Sequence, residues 1–283
     1  MHPRVTLLTG AALCAFAGNA LLTRLALGRT TIDAATFSTL RLASGAGMLV
    51  LVTAMRRGTA SPISGSWRSA LALFAYAVPY SYAYLDLSAG TGALIFIGSV
   101  QVTMICAALV AGERPVPLQW LGFSVALAGL IYLLLPGLAA PPLVSSVAMS
   151  LAGVAWGGYS LFGRGATCPL EETTSNFVRA VPFAILVSVV ARSHRHIEPA
   201  GIIVALACGA VTSGLGYVLW YAAVSGLTST RAAIVQLPVP ILAGAGGVLF
   251  LGETISRRLM LAAIMVLGGV SLSLREQLVR RKV

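Results

Sequence analysis

The chain has 283 residues, of which 58% are hydrophobic and only 10% charged, and its mean hydropathy is +0.90. A soluble domain carries about 25% charged residues, so this chain cannot cover its surface in water and is expected to be an all-α integral membrane protein. The net charge of +11 does not point to nucleic acid: basic residues sit in short connections between apolar runs, and none of these is long enough to track a phosphate backbone.

A helix needs about 20 mostly apolar residues to cross the hydrocarbon. Ten such runs follow one another, at roughly 5–23, 33–55, 68–86, 91–111, 117–135, 143–162, 173–191, 200–222, 230–251 and 258–274. The connections are short and marked by Gly, Pro or charge, as in RRGTASPISGSWR (56–68), PGLAAPP (136–142) and RSHRHIEP (192–199).

The first run places Phe16, Asn19 and Thr23 on one helical face, three and then four residues apart. The second carries Arg41 about eight residues inside its span, a depth at which a charge costs several kcal/mol unless it pairs or snorkels. The third has Tyr76, Tyr80 and Tyr84 at i, i+4 spacing, with Pro79 among them and Asp86 at its end. The fourth carries Phe96, Ser99 and Thr103 on one face and closes on Gly112-Glu113. The sixth holds Trp156 and Tyr159 among Gly153, Gly157 and Gly158, and the seventh buries Arg179 as the second does Arg41. The eighth adds Tyr217, Trp220 and Tyr221. In the ninth, Gln236-Leu237-Pro238-Val239-Pro240 reads as a break inside the span, because two prolines remove two backbone donors. That span closes on Gly252-Glu253.

The two Gly-Glu pairs stand 140 residues apart, from Glu113 to Glu253. The same offset lays Ala15–Arg24 over Ala155–Arg164, and pairs Leu87 with Leu227, Ala93 with Ala233, and Gly129 with Gly269. The organisation expected is therefore a five-helix repeat over 5–135, a second over 143–274 and a cytoplasmic tail at 275–283. Because five is odd, the second copy enters the membrane from the opposite side, giving two inverted five-helix repeats as in many secondary transporters.

Counting Arg4, Arg56, Arg57, Arg68, Arg114, Arg164, Arg231, Arg275, Arg280, Arg281 and Lys282 puts eleven basic residues on the N-terminal side. Arg24, Arg29, Arg192, Arg195, Arg257 and Arg258 put six on the other. The positive-inside rule then makes both termini cytoplasmic.

Ten spans in two repeats, with Gly-Glu closing the fourth span of each, resemble the EamA-type transporters of the drug/metabolite transporter superfamily. The most specific stretches are AGERPVPLQWLGFSVALAGL (111–130) and LGETISRRLMLAAIMVLGGV (251–270). Within that family, the length and sparse charge look most like the YddG-type amino-acid exporters. The resemblance implies export of small metabolites, amino acids including aromatic ones foremost, across the bacterial inner membrane. The alternative is a broader drug or nucleoside-type exporter of the same superfamily.

In such a fold the solute is expected near the midplane between repeats, which makes Asn19, Tyr80, Phe96, Ser99, Trp156, Tyr159, Tyr217 and Gln236 the candidate substrate-binding residues, with Pro238 and Pro240 as the helix break at the site. The two intramembrane arginines are expected to pair across the repeats, Arg41 with Glu253 and Arg179 with Glu113. The expected partners are a small-molecule substrate and the lipid bilayer, and a monomer satisfies the sequence. Cys14, Cys106, Cys168 and Cys208 form no CxxC pair, and His2, His194 and His196 are peripheral. No metal site or cofactor is expected, and no nucleophile with an adjacent base points to an enzyme.

Overall fold

The computed structural model describes residues 3–57, 65–112, 116–135, 137, 140–163, 166–224 and 235–280. Among them every regular element is helical. In chain order these are α1 (Pro3–Arg29), α2 (Ala34–Arg57), α3 (Trp67–Ala83), α4 (Ala89–Val110), α5 (Pro117–Leu134), α6 (Leu143–Phe162) and α7 (Pro169–Val190). They are followed by α8 (Pro199–Ala207), a π-helical segment (Cys208–Leu215), α9 (Gly216–Val224), α10 (Val239–Leu251) and α11 (Arg257–Arg280). Among the described residues, six helical stretches are long and apolar enough to cross a membrane, one of them Pro199–Ala223, which runs α8, the π segment and α9 together. α10 is apolar but shorter.

Local chemistry sets the ends. Ser66 and Ser88 cap α3 and α4 by accepting the backbone N–H of Ser69 and Thr91, donors that have no partner inside the helix. α5, α7, α8 and α10 each open with proline in the first turn, where its missing N–H is not needed. α10 stops at Gly252, whose φ of 61° is left-handed, a conformation glycine adopts without strain.

The helices meet at glycines. A Cβ at Gly129 on α5 would come within 2.6 Å of Met265 on α11, and one at Gly269 on α11 within 2.6 Å of the Ala126 nitrogen on α5. On α4, a Cβ at Gly90 would lie 2.8 Å from Gly244 of α10. Small residues of this kind let backbones approach closely where lipid supplies no hydrophobic drive. The directions are consistent throughout. Thr39 Oγ1 donates to the Ala184 carbonyl at 2.9 Å, while Thr53 bonds Thr174 at 3.0 Å, so α2 and α7 run antiparallel. The Gly129 and Gly269 contacts make α5 and α11 antiparallel too. α1 descends past the π segment in the same sense: Thr23 sits 3.7 Å from Cys208 Sγ, Asn19 contacts Thr212, and a Cβ at Gly216 would meet Ala15 at 3.1 Å.

One end of the bundle gathers the polar joints between α1–α2, α3–α4, α5–α6, α7–α8 and α10–α11. Thr31 N donates to Glu198 at 2.8 Å and the His196 N–H to Asp33 at 3.2 Å. Ser145 donates to Asp86, and Arg258 donates to the carbonyls of Tyr132 (2.8 Å) and Leu135. Glu253 ties the most elements. It accepts the Ala89 N–H that opens α4 at 2.9 Å and pairs with Arg24 of α1 at 3.3 Å. Arg24 in turn donates to the carbonyls of Tyr84 and Leu85 at the end of α3. Glu253 therefore does not pair with Arg41. Arg24, at the end of α1, lies level with the end of α10, whereas Arg41 points inward to the Asn19 amide and the Ala77 carbonyl. Glu113, the expected partner of Arg179, lies outside the described residues.

Replacing Glu253 with Ala removes a helix-start cap and an ion pair that are both largely buried. Hydrogen bonds to charged groups contribute about 2 kcal/mol, so the apparent unfolding free energy of the detergent-solubilised protein should fall by roughly that amount. Arg24→Ala should cost a similar amount, and the double variant should cost clearly less than the sum of the two; additive losses would show that the pair is not coupled.

Candidate functional site

Six side chains from both halves of the chain build one aromatic wall. Tyr76 and Tyr80 of α3 stand 5.3 Å apart between ring centres, Tyr80 lies 5.3 Å from Phe96 of α4, and Tyr76 lies 4.9 Å from Trp156 of α6. Trp156 meets Tyr217 of α9 at 5.6 Å, and Tyr217 meets Phe16 of α1 at 6.3 Å. These edge-on and tilted packings are the favoured ones for rings carrying a negative face and a positive edge. They enclose a central cavity that Asn19, Thr212, Ser213, Gln236 and Val239 complete. Its inner free space is about 60 Å³, room for a few waters, so the rings must part to admit a solute.

The cavity lies where the halves meet. Phe16 and Trp156 are 140 residues apart, as are Phe96 and Gln236, and all four line it. A second, more polar space of about 310 Å³ adjoins it, lined by Tyr159, Ser160, Glu172, Thr173, Asn176 and Tyr221. Trp156 and Tyr217 belong to both walls, so their ring contact is the partition. In the more polar space Tyr159 donates to Thr173 Oγ1 at 3.3 Å and Thr173 donates to Tyr221 at 2.8 Å, joining α6, α7 and α9.

Beneath the central cavity is a buried polar cluster. Arg41 is 2% exposed and stacks over Tyr80 and Tyr76 at 5.0 and 5.4 Å, within the range of a cation–π contact. It donates to Asn19 Oδ1 at 3.2 Å. Asn19 Nδ2 donates onward to Ser213 at 2.8 Å and Thr212 at 3.2 Å. The π segment supplies those hydroxyls, and its Gly209 and Gly214 face α2 at Arg41 and Met48. Five residues span about one π turn, which keeps both glycines on the α2 side while Thr212 and Ser213 turn to the cavity.

Of the residues singled out from sequence, Asn19, Tyr80, Phe96, Trp156, Tyr217 and Gln236 come together around the central cavity. Tyr159 lines the adjoining space instead. Ser99 faces Gly153, where a Cβ would come within 2.6 Å of its own, so it packs α4 on α6 and does not line the cavity. At the expected break, Val235 is helical, residues 236–238 form a turn and α10 begins at Val239, with Pro238 as its N-cap and Pro240 in its first turn; both prolines line an apolar groove shared with α4 and α11. Asp86, the acid at the end of α3, lines a separate small recess with Ser88 and Pro142. Sequence reasoning missed Thr212, Ser213 and the place of Arg41. The depth of Arg41 in its span was the available signal.

Replacing Tyr159 with Phe should lower stability by about 1 kcal/mol, the loss of one buried hydrogen bond. Trp156→Ala should cost more, about 3 kcal/mol, because it leaves a void among rings that cannot close over it. Thermal or denaturant unfolding monitored on both variants checks the order; equal losses would mean that the partition is not packed.

The chain is similar to known proteins in sequence and in fold. Residues 144–275 match the EamA-like transporter family. An uncharacterized protein of Pseudomonas aeruginosa is 50% identical over 277 residues, covering 98% of this chain and 96% of its own length. An uncharacterized transporter of Archaeoglobus fulgidus is 23% identical across 98% of this chain and 99% of its own. A crystal structure superposes with a TM-score of 0.68 at 19% identity, covering 95% of this chain and 96% of that one, a likeness of fold alone.

Proposed function

This chain belongs to one family with the Pseudomonas aeruginosa protein and carries an EamA-like transporter domain, and from that premise we propose that this membrane transporter is a secondary exporter of small amphipathic metabolites. Amino acids, including aromatic ones as in the YddG-type exporters, are its foremost substrates. The proposed setting is the bacterial inner membrane, with ten spans in two inverted five-helix repeats (5–135 and 143–274), both termini cytoplasmic, and a cytoplasmic tail at 275–283.

The observation that carries the reading is the central cavity itself: weakly polar, ringed by aromatics and lined by repeat-matched residues from both halves. An amphipathic solute suits such a wall, stacking its apolar body on Tyr80, Phe96 and Trp156 and offering polar groups to Asn19 and Gln236. Repeat-matched helices that run antiparallel, α2 with α7 and α5 with α11, support inversion of the halves. Rocking of one half against the other then exposes the site to each side in turn. In this reading the Trp156–Tyr217 partition separates the solute from the more polar cytoplasmic space.

Purified protein in liposomes should take up labelled phenylalanine or tryptophan above empty liposomes. Gln236→Ala and Trp156→Ala should lower that uptake several-fold while inserting as well as the native chain. Movement of nucleosides or cationic dyes with no amino-acid flux would replace the substrate class with the broader exporter reading. Asp86, the acid at the end of α3, is the candidate proton-coupling group in this reading, and flux unchanged by collapse of a proton gradient would remove it from that role.

A further inference from the structure

The cavity has an electrostatic asymmetry that its aromatic lining does not explain. Arg41 is a full positive charge in the membrane interior, and no carboxylate among the described residues is ion-paired with it. Its contacts are neutral: the Asn19 amide oxygen, the Ala77 carbonyl at 3.4 Å and two phenol rings. An intramembrane charge held this way is costly and marks a pathway or a binding function. A second observation falls on the same cavity. The hydroxyl of Tyr217, a wall residue only 5% exposed, is buried without a hydrogen-bond partner, and a buried donor in that state loses its bond to water for nothing in return. Tyr217, Thr212 and Ser213 line the same cavity, and Arg41 reaches that lining through Asn19, which it bonds and which bonds both hydroxyls.

We infer that the cavity selects solutes carrying a compact anionic group, a carboxylate in the first instance, seated against the side formed by Asn19, Thr212, Ser213 and Tyr217, with Arg41 as the counter-charge behind that wall. The inference rests on the central cavity being the transport site and narrows what enters it. Arg41 acts as a positioning and selecting residue because Tyr76, Tyr80 and Asn19 stand between it and the cavity. Its guanidinium polarises the Asn19 amide, whose Nδ2–H bond to Ser213 holds that hydroxyl in place for an anion, while Thr212 gives its own proton to the Cys208 carbonyl. The same charge repels cations, so amines and cationic drugs are disfavoured.

The test compares four probes of one size on the purified full-length protein, by calorimetry or by tryptophan fluorescence: phenylalanine, 3-phenylpropionate, phenylalaninamide and phenethylamine. Phenylalanine and 3-phenylpropionate should bind at least about tenfold more tightly than the amide and the amine, the scale of one partly screened charge interaction at this range. Arg41→Lys should keep the preference, Arg41→Gln should abolish it, and Tyr217→Phe should weaken the two carboxylates without strengthening the amine. A purely structural Arg41 would lower the binding of all four probes together, and that result would overturn the inference. Should Arg41→Gln fail to fold, the native protein and Arg41→Lys still decide: equal binding of 3-phenylpropionate and phenethylamine contradicts the inference. If the amine binds and moves while the carboxylates do not, anion selection fails and the exporter reading stands. If none of the four binds, the central-cavity reading fails and this inference with it.

Discussion

Lipid tails are as apolar as leucine, so helices in a bilayer gain little by hiding from their surroundings and must associate through close packing and polar contacts. The whole arrangement depends on that constraint. Gly129 and Gly269 bring α5 and α11 together, Gly90 and Gly244 do the same for α4 and α10, and Gly209 and Gly214 press the π segment onto α2. A Cβ at Gly90, Gly129, Gly269, Gly209 or Gly214 would come within 3.0 Å of its neighbour and displace it. The ends are fastened differently, by charge-assisted bonds such as Glu253 to Ala89 and Arg24. Close crossings at the flanks and polar joints at one end leave a space in the middle, where the large rings of Phe16, Tyr80, Phe96, Trp156 and Tyr217 meet without filling it.

Two opposing demands shape that middle. Aromatic faces suit the apolar body of a solute, and they keep water out. A buried guanidinium needs polar company, and it finds only neutral partners in Asn19, Ala77 and the faces of Tyr76 and Tyr80. The π segment reconciles the two. Its wider turn lets glycines meet α2 on one side while Thr212 and Ser213 reach Asn19 on the other, carrying the influence of Arg41 to the cavity wall. π segments inside longer helices recur at functional sites for such reasons.

Much of this could be read from the residues alone, and the limits are physical. Spans, repeat offset and the gathering of connections at one end follow from hydropathy and from matched Gly-Glu and Gly positions, since these fix height along the bilayer normal. Height also brought Asn19, Tyr80, Phe96, Trp156, Tyr217 and Gln236 to one level. Height does not fix the direction a side chain takes around its helix, which is why Arg41 was assigned to Glu253 when it turns inward, and why Ser99 proved to pack against Gly153. The π segment has no strong local signal: Gly209-Ala210-Val211-Thr212-Ser213-Gly214 reads as ordinary helix until its contacts with α1 and α2 are known. Pro238 and Pro240 carry a direct signal: residues 236–238 form a turn after helical Val235, and α10 restarts at Val239 with proline in its first turn, where it is tolerated.

The central claim, that one cavity shared by both halves holds the transported solute, can be tested at Ile97, which lines that cavity and is 8% exposed. With Cys14, Cys106, Cys168 and Cys208 replaced by Ala or Ser and Ile97 replaced by Cys, the rate of thiol modification is measured in membranes with rising concentrations of transported amino acid. The account predicts protection that saturates at the concentration that half-saturates transport. Transport that persists while the Ile97→Cys modification rate stays independent of solute would contradict it.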